Sequence, residues 1–167
     1  MHRRRDYIKR FLILIVFLIR LSSLSASGNE QICADGEKNI LIIHSYHQGL
    51  EWTDNISRGI LDEFNDNPRC NLVFEYMDTK RNHSKTYIRN LLHFLEIKNK
   101  ESKYSGIIAS DNAAYIFLAQ HGEKLFGETP IVFCGVNKAD TNLLHNCQNY
   151  FLYHEKADHL ANLNMIA

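Results

Sequence analysis

The sequence predicts a three-layer α/β domain in which helices cover both faces of an open parallel sheet. Short apolar runs recur between residues 39 and 137, and each is followed by a segment with apolar residues at helical spacing. Strands joined through helices of about ten residues or more form parallel sheets by right-handed crossovers. The chain holds only two prolines and eight glycines, which excludes fibrous and disordered classes.

The first strand and the first helix follow one another directly. Ile40–Ile43 is an unbroken apolar run, typical of a strand that is buried on both faces. After a polar loop, Thr53 or Asp54 is the predicted cap of a helix, and Asn67-Pro68 ends it, because the residue before a proline disfavours helical geometry. The apolar positions of this helix recur at helical spacing and are Ile56, Ile60, Leu61 and Phe64.

The rest of the chain repeats this alternation. Ser84 is the predicted cap of a second helix, and a third runs from Asn112 to about Gln120. One apolar face of the second helix consists of Ile88, Leu91, Leu92 and Leu95. The later predicted strands are residues 71–77, 106–109, 131–134 and 150–152.

The amino terminus has the three parts of a secretory signal. A basic stretch is followed by an apolar run at residues 11–19 and by small residues at 22–28. Arg20 interrupts the apolar run well short of the about 20 residues that a membrane-spanning helix needs. Two interpretations stay open: cleavage near Ala26 or Ser27, or an uncleaved anchor formed by residues 11–26. Both predict a periplasmic or extracytoplasmic body.

Charge and missing motifs exclude several classes of protein. Residues 27–167 carry 13 basic and 18 acidic side chains, a net charge of −5 that does not suit nucleic-acid binding. The chain has no Walker loop, no G-x-G-x-x-G after its first strand and no G-x-S-x-G, so neither a nucleotide-binding domain nor an α/β-hydrolase is expected. His44-Ser45-Tyr46 stands where a response-regulator receiver needs acidic residues.

Cysteines and histidines give no support for a metal site. Export would expose the cysteines to an oxidising compartment, where the four allow three disulfide pairings that the sequence does not distinguish. These cysteines are Cys33, Cys70, Cys134 and Cys147, and none has a C-x-x-C spacing. Cys134 ends an apolar run, which favours a buried thiol. The nine histidines are scattered, so we expect no metal and no cofactor.

Three loops of the predicted sheet are candidates for a binding site. Ligands of open parallel sheets bind at the carboxyl ends of the strands, near the point where the strand order reverses. The loops that leave these ends after the first, third and fourth strands are residues 44–52, 110–112 and 134–137.

The side chains in these loops suit recognition of a small molecule. Tyr46 or Trp52 would stack on a ligand, and Ser45 would form a hydrogen bond with it. Asp111 would bind a cation or amine, and the helix that follows would bind an anion at its amino terminus. A capping loop and an ordinary helix cap are the alternative interpretation. Ser45, a nearby histidine and Asp111 can be drawn as a catalytic triad, although nothing in the sequence places them together.

Four motifs in order suggest a family. "ILIIHSYHQGLEWTDNISRGILDEF", "FEYMDTKR", "IIASDNAAYIFL" and "PIVFCGVN" together resemble the N-terminal lobe of type I periplasmic binding proteins of the ABC-transporter substrate-binding class. Within that class they are similar to the extracytoplasmic sensor domains found in front of bacterial histidine kinases and diguanylate cyclases. The resemblance implies a flavodoxin-like lobe, with a small molecule held in a cleft between two lobes and closure transmitted onward.

The resemblance also implies which residues face the cleft. Carried over position by position, they are Ser45, Tyr46, Trp52, Asp78, Ser110, Asp111, Asn112, Gly135 and Asn137. Asp78 depends most on the resemblance, because its motif alone is also compatible with a turn. The implied partners are a small-molecule ligand and either a membrane permease or a sensor kinase module.

The chain divides into four predicted parts. They are a signal peptide or anchor at residues 1–26, a linker at 27–38, a binding lobe at 39–148, and the start of a crossover to a second lobe at 149–167. We therefore expect a non-enzymatic, exported binding lobe of a solute-binding or sensor protein, in truncated form. The alternatives are a fragment that binds nothing and an exported α/β enzyme with Asp111 or a histidine as its general base.

Overall fold

The computed structural model describes residues 37–137, 139–144 and 149–154, and it confirms the predicted α/β class with an open, all-parallel sheet. The described elements, in chain order, are β1 (Lys38–His44), α1 (Glu51–Phe64), β2 (Cys70–Tyr76), α2 (Lys85–Lys98), β3 (Gly106–Ser110), α3 (Asp111–Phe126), β4 (Ile131–Val136), a 3-10 turn (Thr141–Leu144) and β5 (Tyr150–His154).

The strand order β2-β1-β3-β4-β5 places the reversal of direction between β1 and β3. β2 lies on one side of β1, and β3, β4 and β5 follow one another on the other side. In register, His44 pairs with Ser110, and Ser110 pairs with Cys134. The carboxyl ends of β1, β3 and β4 are therefore level with one another, and the loops that leave them share one edge of the sheet.

Two apolar clusters, one on each face of the sheet, hold the three layers together. Leu41 and Ile43 of β1 belong to the cluster that packs against α2 and α3, where Leu95 and Leu118 are buried. Ile40 and Ile42 belong to the opposite cluster, where Ile60 and Phe64 of α1 are buried. Alternate residues of β1 thus point to opposite faces, and both faces are covered, as the unbroken apolar run predicts.

The start of α1 differs from the prediction. The helix begins at Glu51, with Leu50 as its N-cap, rather than after a cap at Thr53 or Asp54. Thr53 is buried within the first turn, and the Asp54 carboxylate accepts a hydrogen bond of 2.9 Å from the Gly49 N–H. Asp54 therefore lies inside the helix, although its carboxylate binds the N–H of Gly49, which precedes the helix. The spacing of apolar residues does not reveal this arrangement.

The ends of the other helices are closer to the prediction. Ser84 caps α2 as expected, since its hydroxyl accepts a hydrogen bond of 3.1 Å from the Tyr87 N–H. Helix α3 continues past Gln120 to Phe126, because Leu125 and Phe126 still pack on the core, and it ends at Gly127 with φ +58°.

The fifth predicted strand exists and pairs with β4 in parallel, with a break in register between Phe133 and Val136. Among the described residues, no helix has the length and apolar character needed to span a bilayer. The predicted signal or anchor, Cys33, Cys147 and the part of the predicted crossover after His154 lie outside the described residues.

Candidate functional site

The carboxyl edge of the sheet brings Trp52 and Asp111 into contact. The indole Nε1–H donates to both carboxylate oxygens of Asp111, at 3.0 Å to Oδ1 and 3.1 Å to Oδ2. Trp52 lies in the first turn of α1, and 39% of its surface is exposed, whereas Asp111 is only 4% exposed. A buried carboxylate is therefore hydrogen-bonded to the edge of a partly exposed indole, at the point where the strand order reverses.

Asp111 occupies an unusual backbone position. It follows the last residue of β3 directly and begins α3 with φ +71°, in the left-handed region. Side chains with a β-carbon reach this region at a cost of about 1–2 kcal/mol, and aspartate is among those that enter it most readily. The turn from strand to helix has no loop residue, so the backbone itself directs the carboxylate towards the edge of the sheet.

Gly135 lies beside this pair. Its φ is +67°, and a β-carbon built on it would be 3.6 Å from Asp111 Oδ1 and 3.6 Å from Trp52 Cζ2. The space could accept a methyl group, but the backbone conformation favours glycine. Gly135 is itself buried, and its lack of a side chain leaves the space between it and the carboxylate and indole unfilled.

Tyr46 is the second aromatic residue of the site. Partial burial raises the pKa of its hydroxyl, and the negative charge of Asp111 raises it further, so the phenol stays protonated at neutral pH. The ammonium of Lys80 lies 5.7 Å from the centre of the ring, within the range of a cation–π contact. Tyr46 thus presents a hydrogen-bonding hydroxyl within electrostatic reach of Asp111.

Ser45 and Ser110 support the site and do not face it. Both are buried, and the Ser45 hydroxyl donates to the Ser110 carbonyl oxygen at 2.7 Å. The same hydroxyl accepts from the Ala114 N–H at 2.8 Å, so Ser45 caps the first turn of α3 from a different element. The expectation that Ser45 binds a ligand directly is therefore not supported, because its hydroxyl is enclosed and used within the protein.

His44 joins the same network, although the motifs did not single it out as a site residue. Its Nδ1 lies 2.8 Å from Ser110 Oγ and its Nε2 lies 2.9 Å from Ser57 Oγ. Burial lowers its pKa to about 4, and the nearby charge of Asp54 opposes this only in part, so the ring is neutral at neutral pH. The hydrogen bonds of the Ser45 hydroxyl go to backbone groups, and the suggested triad of Ser45, a histidine and Asp111 does not form.

The burial of His44 could have been inferred from the sequence. It directly follows the apolar run of β1, and a polar side chain at the end of a buried strand needs hydrogen-bond partners. Which partners it finds depends on β3 and α1, whose positions the sequence does not show.

Asp78 organises its own turn after β2. It has φ +52°, and its carboxylate accepts hydrogen bonds from Arg81 Nε at 2.7 Å and Asn82 Nδ2 at 2.9 Å. The hydrogen bond from Arg81 holds the pKa of this carboxyl below its ordinary value. Asp78 is at the expected edge of the sheet, but these contacts suit a turn, which was the alternative interpretation of its motif.

The two remaining candidates lie at the same edge. Asn112 is half-buried in the first turn of α3, and Asn137 is exposed just after β4. In the part of the chain that the structure describes, no three histidine, cysteine or acidic side chains are placed to hold a metal ion together. The arrangement brings the Asp111 carboxylate, the Trp52 indole and the Tyr46 ring to the same edge of the sheet.

No protein-family model, no curated protein and no solved structure matches this chain.

Proposed function

We propose that this chain is the small-molecule-binding lobe of an exported solute-binding or sensor protein. The observation that carries the proposal is the contact of Trp52 with Asp111 at the strand-order reversal, where open parallel sheets bind their ligands. The four ordered motifs that resemble type I periplasmic binding proteins are its second support.

The groups at this edge suit binding better than catalysis. The half-exposed indole would stack on a planar or apolar part of a ligand, and the Tyr46 hydroxyl would form hydrogen bonds with its polar groups. The Asp111 carboxylate would hold the indole in place and supply a negative charge beneath the protein surface. A histidine base would need to reach a substrate, whereas His44 is enclosed between two serine hydroxyls. The proposal therefore assigns recognition, and no reaction, to this edge.

The proposal is testable through the intrinsic fluorescence of the protein. Trp52 is the only tryptophan of the chain, so its emission reports on the candidate site without a label. We expect the full-length chain to show a saturable change in emission with at least one compound in a set of amino acids, purines, sugars and amines. At a ligand concentration of about 100 times Kd, binding would also add about 2.7 kcal/mol to the free energy of unfolding.

A pair of matched substitutions locates the binding. Asp111→Asn keeps the size and tolerates the backbone conformation but removes the charge, and we expect it to weaken binding about tenfold or more. Asp62→Asn makes the same change on the exposed side of α1 and should bind like the wild type. A cooperatively folded protein that no compound affects, in emission or in melting temperature, would contradict the proposal.

A further inference from the structure

We propose that His44 is the positioning residue of the Trp52–Asp111 pair, because its ring connects the two elements that carry the pair. Ser110, which His44 contacts through Nδ1, directly precedes Asp111. Ser57, which it contacts through Nε2, is hydrogen-bonded to the carbonyl oxygen of Thr53, the residue after Trp52. The inference rests on the proposed function only in treating the pair as a binding site.

The donors and acceptors available in this network determine the direction of each hydrogen bond. The Ser57 hydroxyl donates to the Thr53 carbonyl oxygen at 3.0 Å, so it accepts from the Nε2–H of His44. A neutral imidazole that donates from Nε2 must accept at Nδ1, and the Ser110 hydroxyl donates there. The result is a continuous chain of hydrogen bonds from Ser110 of β3 through His44 of β1 to Ser57 of α1.

Packing fixes the plane of the ring. His44 has no exposed surface, and its ring stacks on Phe74 at 6.0 Å and on Tyr76 at 5.3 Å between centroids. With the plane held by β2, the two nitrogens point in fixed directions, one to the end of β3 and one to α1. The network therefore sets the distance between the start of α3 and the start of α1, and with it the separation of Asp111 and Trp52.

The obvious alternative is that His44 only fills the core. In that case its loss would lower stability but would leave the environment of Trp52 unchanged. The two roles differ in the fluorescence of Trp52. Its indole is hydrogen-bonded to Asp111, and without the positioning network this hydrogen bond would weaken and the indole would become more exposed to solvent.

The test uses the full-length chain without any ligand. His44→Phe keeps an aromatic ring to stack on Phe74 and Tyr76 but removes both hydrogen bonds, and Ser57→Ala removes only the one on the α1 side. We expect both variants to show Trp52 emission at longer wavelength. Quenching by acrylamide should rise by up to about 2.5-fold, since the exposed fraction of Trp52 is 39% and can rise towards complete exposure.

Ser84→Ala is the matched control for destabilisation. It removes the cap of α2, away from the site, and should lower the melting temperature while leaving Trp52 emission as in the wild type. If His44→Phe and Ser57→Ala behave like this control, the positioning role is wrong. If His44→Phe does not fold, Trp52 emission and quenching in Ser57→Ala are sufficient to test the positioning role. Because no ligand enters the measurement, its outcome is separate from that of the binding titration.

Discussion

Asp111 combines a position at the candidate site with a strained backbone. A glycine would adopt φ +71° without cost, yet the chain has an aspartate there, whose carboxylate holds the indole of Trp52. Residues kept in sparsely populated conformations cluster at functional sites, where the surrounding structure maintains them. Here the surroundings are Ser45 and Ala114, which bind the first turn of α3 to the end of β1.

This strain predicts that the usual order of stability of an alanine and a glycine variant is reversed at position 111. Asp111→Ala and Asp111→Gly both delete the carboxylate, but only alanine keeps a β-carbon in the left-handed region. We expect the alanine variant to be less stable than the glycine variant by about 1 kcal/mol, measured by denaturant unfolding of the full-length chain. The same pair of substitutions at Asn112, which has no positive φ, should show the usual order with alanine more stable. An alanine variant at least as stable as glycine at position 111 would contradict the strain.

At the scale of elements, the edge strand β5 is held by α3 as well as by β4. Gly122 of α3 is buried, and the ring of Tyr150 packs on Phe133 with centroids 5.7 Å apart. A β-carbon on Gly122 would lie 2.3 Å from the Tyr150 hydroxyl oxygen and 3.1 Å from Ile131 Cδ1. The helix thus has a glycine in its interior because the strand side chain takes up the space of a methyl group.

The packing of α3 on β5 predicts that a better helix former destabilises the protein. In an exposed helix, a change from glycine to alanine such as Gly122→Ala would stabilise the helix by about 1 kcal/mol. Here we expect it to cost about 1–3 kcal/mol of stability, because the methyl group and the Tyr150 ring cannot both fit. Adding Tyr150→Phe removes the closest atom and should restore part of the loss, as thermal melting would measure. A rise in melting temperature for Gly122→Ala would mean that Tyr150 does not lie against α3.

At the scale of the whole molecule, the strand order decides which distant residues meet. Cys70 lies on β2 and Cys134 on β4, with β1 and β3 between them. Three strand spacings are about 14 Å, twice the Cα separation of about 7 Å that a disulfide tolerates. The pairing of these two cysteines, one of the possibilities that sequence left open, is therefore incompatible with the sheet.

We expect oxidised, folded protein to contain no disulfide between Cys70 and Cys134. Non-reducing digestion and mass spectrometry of the full-length chain would detect a peptide that links the two. As a control, oxidation in denaturant should allow this link to form, since an unfolded chain brings any two cysteines together. The linked peptide in natively oxidised protein would contradict the strand order.

Local patterns were sufficient to predict the elements of this fold. The apolar run of β1, the helical spacing in α2 and the Ser84 cap depend on neighbours in the chain, and the structure has each of them where these patterns predict. The predicted start of α1 was wrong, because Leu50 is the N-cap and Asp54 lies inside the helix, where its carboxylate accepts a hydrogen bond from the Gly49 N–H. The common location of the three loops at one edge of the sheet was predicted as well, because the carboxyl ends of parallel strands share an edge in any sequence.

The sequence by itself determined the α/β class, the succession of elements and the loops that share one edge of the sheet. Only the tertiary structure decided what each side chain in those loops does. Ser45 turned inward to cap α3, Trp52 met Asp111, and His44 joined three elements. These pairs are separated by 13 to 69 residues in the chain. Burial and strand order bring such partners together, and neither periodicity nor spacing contains that information.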